Sequence, residues 1–269
     1  MAGELERVRK ALGELSKALA SPGDEPSPRQ VHNLRTASRR VEAVAAVLEA
    51  ADRRRSRHLL QSLDPVRKSA GHVRDIDVLA VHACRLRRYG NAHSLARLLE
   101  YLQNSRRQRA AELHHALHRR RKALREELKA YSRFVRSTLR SRADRGQSQE
   151  NIHEAAMRVI RELGGAWPLD AGNLHAFRLK VKRLRYILQL DAEAGADLIE
   201  ALGEAQRRIG DWHDWQALEE IARPALIQDE DRPLVERIEA TTRRRYQRAL
   251  AAAHALHGKY LAMPMAAGV

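Results

Sequence analysis

Cys84 is the only cysteine in this 269-residue chain. That excludes a disulfide framework and fits a reducing compartment. Aromatic residues make up 4% of the sequence (two Phe, three Trp, six Tyr), which weakens readings built on base stacking, because single-strand binders offer aromatic platforms. Gly and Pro are sparse, no alternating β-rich segment occurs, and Leu, Ala, Arg and Glu dominate, so the chain reads as all-α. No apolar run approaches the roughly 18 residues of a membrane span, and the start MAGELERVRK carries glutamates that a secretory signal would not. A cytoplasmic protein without membrane partners is expected. Acidic residues are also short, 34 against 50 Lys and Arg, a net charge of +16 with a pI near 10.7. Such a field draws anionic partners.

The breaks in the helical pattern fall into two comparable series. SPGDEPSP (21–28) ends a first segment, and helices are expected over about 29–51, 53–70, 74–89 and 92–140. The polar stretch SRADRGQSQE (141–150) reads as a linker. Helices over about 151–163, 173–192, 196–209, 214–227 and 231–261 follow, with GGAWPLDAG (164–172) as the matching break. Residues 1–145 and 146–269 are thus expected to form two helical bundles of four to five helices each.

Specific residues repeat as well. His32, Arg35, Arg39 and Arg40 match His175, Arg178, Lys182 and Arg183 at a constant offset, 175 − 32 = 143. AGHVRDIDVL (70–79) matches IGDWHDWQAL (209–218) at another, 210 − 71 = 139, pairing Gly71 with Gly210 and Asp75 with Asp214. Arg107 and Arg109 pair more loosely with Arg243 and Arg245, both segments being arginine-rich. This is an internal duplication, and two copies of a unit commonly pack about a pseudo-twofold axis. Charge is shared unequally: residues 1–146 hold 33 basic and 16 acidic residues (33 − 16 = +17), residues 147–269 hold 17 and 18 (17 − 18 = −1). The second half keeps its His-Arg-Lys cluster although it is not basic as a whole, which argues for a site.

On a helical wheel Arg35 and Arg39 lie about 60° and about 20° from His32, while Leu34, Val41 and Leu48 lie opposite and read as the core stripe. Phe177 and Leu184 take that role in the second copy, with His175, Arg178, Lys182 and Arg185 on the other face. His32 to Arg39 spans about 10 Å of helix. Cations stacked at (i, i+4) repel one another, and a multivalent anion lying along them relieves the repulsion. The plain alternative, a solvated basic face, is weakened by the match between the copies.

H-x-x-R-x-x-x-[RK]-R near the start of each half, followed by G-x-x-[RH]-D, resembles the CHAD family, the conserved-histidine α-helical domain. The resemblance covers about residues 3 to 261. It implies two helical bundles related by pseudo-twofold symmetry with a basic groove or pore between them. It further implies binding of inorganic polyphosphate without a catalytic step, and association with polyphosphate granules. By position, the binding residues implied are His32, Arg35, Arg39 and Arg40 with His175, Arg178, Lys182 and Arg183; Arg185, Arg107 and Arg243 are added as candidates from the wheel and the looser match. The copies depart from each other at two points: His213 stands where the first has Arg74, and Glu42 stands opposite Arg185. The physics suits such a ligand. A featureless polyanion calls for repeated cations rather than base-reading groups; Arg forks grip phosphate oxygens in pairs and Lys adds point charge. Histidine, with an ordinary pKa of about 6.5, donates from both nitrogens once an anion draws it protonated.

Rival constellations are thinner. His114, His115 and His118 sit among arginines, a poor place for a dication, and His254 and His257 have no third ligand in view, so no metal and no cofactor is expected. Asp75, Asp77 and Asp214 raise metal-assisted phosphoanhydride chemistry, but Asp75 and Asp214 follow a Gly by four residues, where an N-cap or an ion pair is the plainer role. Glu4 and Glu6 are followed by Val8, so the E-x-E-x-K strand motif of the related tunnel enzymes does not occur, and no Gly-rich phosphate loop precedes a Lys-Ser/Thr pair. Cys84, Trp212 and Trp215 read as packing residues. No catalytic residue is expected. A nucleic-acid binder is the other alternative, favoured by net charge and opposed by the aromatic content and the neutral second half.

Overall fold

A computed structural model describes residues 2–20, 23, 25–48, 52–89, 91–144, 150–191 and 194–261. Among them there is no strand, and the all-α expectation holds. The elements are α1 (Ala2–Ala20), α2 (Pro28–Leu48), α3 (Arg53–Cys84), α4 (Ala92–Asp144), α5 (Glu150–Gly164), α6 (Leu174–Leu188), α7 (Ala196–Ala225) and α8 (Arg232–Leu256). A 3-10 helix (Asp229–Asp231) precedes α8 and a π-helical turn (His257–Leu261) follows it. No described helix is long and apolar enough to cross a membrane. The centre of the expected linker, 145–149, and parts of the 21–28 break lie outside the described residues.

Two compact units emerge, Met1–Cys84 with Leu99–His153 and Leu190–Ala192, and Arg85–Leu98 with Glu154–Gln189 and Glu193–Val269. In the first unit α2 opens on a capping box: the Ser27 amide donates to Gln30 Oε1 at 2.8 Å and the Gln30 amide donates to Ser27 Oγ at 3.3 Å, with Pro28 between them where its missing N–H costs nothing. α2 runs antiparallel to α3, since Arg35 meets Asp75 and Glu42 meets Arg67. α4 returns along α3: Asp77 pairs with Arg106 at 2.7 Å, Ser62 with Glu127 at 3.1 Å and Ser56 with Tyr131 at 3.0 Å. Tyr131 is buried, and desolvation pushes its phenol up to about 12.

The second unit repeats that antiparallel logic. α6 lies along α7, with Arg178 and Arg185 both donating to Gln206 at 3.4 Å. α8 lies along α7 through Asp211–Arg245 at 3.0 Å and Glu239–Arg223 at 2.9 Å. Residues 85–98 are anchored to the start of α8, where Arg97 pairs with Asp231 and with Glu230 (3.2 Å) and Arg237 stacks over Tyr89 at 3.9 Å.

The expected breaks at Gly71 and Gly210 are not there. α3 and α7 run straight through both glycines. The reason is visible in the buried stripes. Leu59, Leu63, Val66, Ala70 and Val73 keep the 3–4 spacing up to and past Gly71, as Leu202, Ala205, Ile209, Trp212 and Trp215 do around Gly210. A helix-interior glycine costs about 1 kcal/mol relative to alanine, while each large apolar side chain fully buried contributes about 1.5–3 kcal/mol. Packing wins. Asp75 and Asp214 therefore sit in helix interiors and are not N-caps.

Asp231 supplies a stability test. Burial works against its ionised form, but the Ser94 hydroxyl, the Gln228 amide (3.0 Å) and the Arg97 guanidinium together outweigh that and hold its carboxyl below the ordinary aspartate value. A lowered folded pKa means a contribution present above the unfolded value near 3.9 and lost as pH falls through the folded one. Asp231→Asn should cost about 1–3 kcal/mol at neutral pH. Chemical denaturation of both proteins should show that gap closing below pH 4; a gap unchanged from pH 7 to pH 2 would mean that the charge is irrelevant.

Candidate anion-binding site

In α2 the core face is Val31, Leu34, Ala37, Val41, Val44 and Leu48, all buried, with Ser38 turned in and donating to the Leu34 carbonyl at 2.7 Å. The opposite face carries His32, exposed, and Arg35 and Arg39, both half-buried. Arg35 crosses to α3 and lies against Gly71: a β-carbon there would sit 2.8 Å from its Nη1. Its Nη2 stands 3.7 Å from Asp75 Oδ1. Arg39 donates to Glu42 Oε2 at 2.8 Å, and Arg67 of α3 donates to the other oxygen of Glu42, also at 2.8 Å. Arg67 also pairs with Asp64. Arg40 leaves this face and pairs with Glu14 on α1.

In α6 the core face is Leu174, Phe177, Val181, Leu184 and Ile187. His175 is half-buried, and its ring lies 4.1 Å from that of His213 on α7. Arg178 repeats what Arg35 does, more closely. A β-carbon on Gly210 would sit 2.7 Å from its Nη2, 3.0 Å from Nε and 3.1 Å from Cζ, and Nε donates to the Gln206 carbonyl one turn earlier. Arg185 lies against Gly203, with Nε 3.4 Å from the β position, and donates to Gln206 Oε1. Lys182 is half-buried and Arg183 exposed on the same helix.

The two remaining candidates stand apart. Arg107 is exposed and bonds Asn104 at 3.0 Å on its own helix; Arg243 is exposed and stands 4.0 Å from Glu239, also on its own helix. The arginines that turn toward α3 and α7 are Arg106 and Arg245. Residues that sequence reasoning passed over are Arg67, Gly203 and Gln206. The offset of 139 residues that pairs Gly71 with Gly210 also pairs Asp64 with Gly203 and Arg67 with Gln206, so the signal was present.

Among the described residues no group of three or more His, Cys, Asp or Glu is arranged to hold a metal ion. His114 and His118 stack with ring centres 6.2 Å apart.

The sequence profile of the CHAD domain matches residues 6–223, from α1 to near the end of α7. The chain belongs to the CHAD domain family. Its fold is similar to that of the crystal structure of the CHAD domain from the plant Ricinus communis, at 19% identity and a TM-score of 0.69, over 96% of this chain and 90% of that one. No curated protein matches the chain. In this CHAD domain each unit therefore carries an arginine set against a helix-interior glycine beside a second basic residue one turn on.

Glu42 tests how far the first ridge is already neutralised. It is the shared acceptor of Arg39 and Arg67, so Glu42→Gln should take the charged acceptor from Arg39, leave Arg67 to Asp64, and cost about 1–2 kcal/mol. Added sulfate should restore the melting temperature of the variant more than it raises that of the unaltered protein. Equal responses would mean that Glu42 does not shield the ridge.

Proposed function

We propose that this CHAD domain binds inorganic polyphosphate without turning it over, through the cationic ridges of α2 and α6, and that this binding carries it to polyphosphate granules. The carrying observation is the recurrence, in each unit, of an arginine laid on a glycine of the antiparallel helix. A half-buried guanidinium fixed in this way presents charge from a rigid support, so less side-chain entropy is lost when a phosphate arrives. Ridge cations seven residues apart span about 10 Å, a length that a chain of linked phosphates fills with several charges. The ligand that the sequence motifs imply through the family fits this pattern.

A nucleic-acid partner fits less well. Trp212 and Trp215 are buried in α7, so they offer no stacking platform.

Affinity for long-chain polyphosphate should fall steeply with salt. Four phosphate contacts predict a loss of roughly 50- to 150-fold between 50 and 200 mM. Replacing Arg35, Arg39, Arg178 and Lys182 together by alanine should weaken binding on the order of a hundredfold. Replacing Arg53, Arg54, Arg55 and Arg57 at the start of α3 removes as many charges and should have far less effect. Equal losses from the two sets, or displacement of polyphosphate by duplex DNA at physiological salt, would leave only a generic polycation. Granule association is checked by whether the four-residue ridge variant loses co-sedimentation with polyphosphate granules.

A further inference from the structure

The two ridges differ in a way that total charge hides. Four equivalent positions frame each: Arg39, Glu42, Asp64 and Arg67 in the first unit, Lys182, Arg185, Gly203 and Gln206 in the second. The first set holds two positive and two negative residues, 2 − 2 = 0; the second holds two positive and none negative, 2 − 0 = +2. This is the reverse of the balance between the halves of the sequence, +17 against −1.

We infer that the principal grip for a multivalent phosphate anion is a ladder of Arg178, Lys182 and Arg185 in the second unit, kept in register by Gly210 and Gln206 of α7. The inference rests on the reading of the ridges as anion-binding surfaces and says which of them carries most of the affinity. Arg178 and Arg185 are seven residues apart on α6, and Gly203 and Gly210 are seven apart on the antiparallel α7. Both intervals are two helical turns, so each arginine meets its own glycine. Gln206, midway between the glycines, accepts from both arginines, through its backbone carbonyl and its side-chain oxygen. In the first unit only the Arg35–Gly71 half of that arrangement exists. Position 64 is Asp64, engaged with Arg67 and Lys68, and position 42 is a carboxylate that Arg39 and Arg67 already share. A phosphate group arriving at Arg39 must compete with Glu42. One arriving at Arg185 meets supports that are uncharged, a glycine and a glutamine.

Gly210 acts as a positioning residue, whereas at Gly203 a β-carbon would stand 3.4 Å from Arg185 Nε, an ordinary contact. At 2.7 Å from Nη2, a β-carbon on residue 210 excludes the present placement of Arg178, yet what it meets is the flexible end of a side chain. The guanidinium moves and the helix stays. Gly210→Ala is therefore expected to keep its helical content and to melt no lower, because alanine favours helix by about 1 kcal/mol over glycine.

The experiment measures binding of fluorescently labelled long-chain polyphosphate to the full chain. Arg178→Ala/Arg185→Ala should lose at least about tenfold more affinity than Arg35→Ala/Arg39→Ala. Gly210→Ala alone should lose about five- to tenfold, and the same change in an Arg178→Ala background should cost nothing further, since the effect passes through Arg178. Equal losses from the two arginine pairs would overturn the ladder as the principal grip. A Gly210→Ala penalty that persists without Arg178, or none with it, would overturn the positioning role. If the unaltered protein fails to bind polyphosphate at all, the functional reading falls and this inference with it. Binding that weakens equally in both pairs sinks this inference alone.

Discussion

A guanidinium pressed against a helix backbone is the contact around which each ridge is organised. Arg35 on Gly71 and Arg178 on Gly210 bring a charged side chain to a distance at which no β-carbon fits. Two consequences follow. The helix that supplies the glycine must be held by something other than its own propensity, and the apolar stripes through Ala70 and Val73, and through Ile209 and Trp212, do this. The arginine, for its part, loses water on the side that faces the helix and becomes half-buried, so its charge sits on a rigid support and not at the end of a mobile stem.

Local and total charge must be kept apart in this molecule. Much of the positive charge of the first half lies on exposed turns of α4, around Arg119, Arg120, Arg121 and Lys122, and on the first turn of α3. Charge of that kind builds a long-range field, screened beyond about 10 Å at ordinary salt, which speeds encounter with any polyanion. Affinity for a particular ligand comes from cations held close together at fixed spacing. The second half has almost no field of its own and nevertheless concentrates Arg178, Lys182 and Arg185 on one short helix.

The periodicity of α2 and α6 could be read from the sequence, and Leu34, Val41, Leu48, Phe177 and Leu184 are buried as the helical wheel requires. The role of the glycines could not be read. A glycine that ends a helix and one that admits a neighbour's side chain look the same in one dimension, and what separates them is the residue lying across from them. The same limit applies to Arg40 and Arg107. One residue of helix is about 100° of rotation, and whether Arg106 or Arg107 turns inward depends on Asp77 of α3, far away in sequence. Arg40 is drawn to Glu14, on a helix separated from it by a break whose length says nothing about where α1 packs. Charged side chains follow tertiary partners; apolar ones follow the period.

The exchange of Glu42 and Arg67 for Arg185 and Gln206 can be followed one step further. An internal carboxylate stabilises the pair α2 and α3 whether or not a ligand is present, and for the same reason it opposes any anion that would replace it. In α6 and α7 the corresponding contact is a hydrogen bond from Arg185 to a neutral amide, which holds the helices together and offers an anion no rival. Stability without ligand and affinity for ligand thus draw on the same positions and cannot both be greatest in one unit. In the first unit Arg39, Glu42 and Arg67 engage one another, whereas in the second Arg185 is held by a neutral amide.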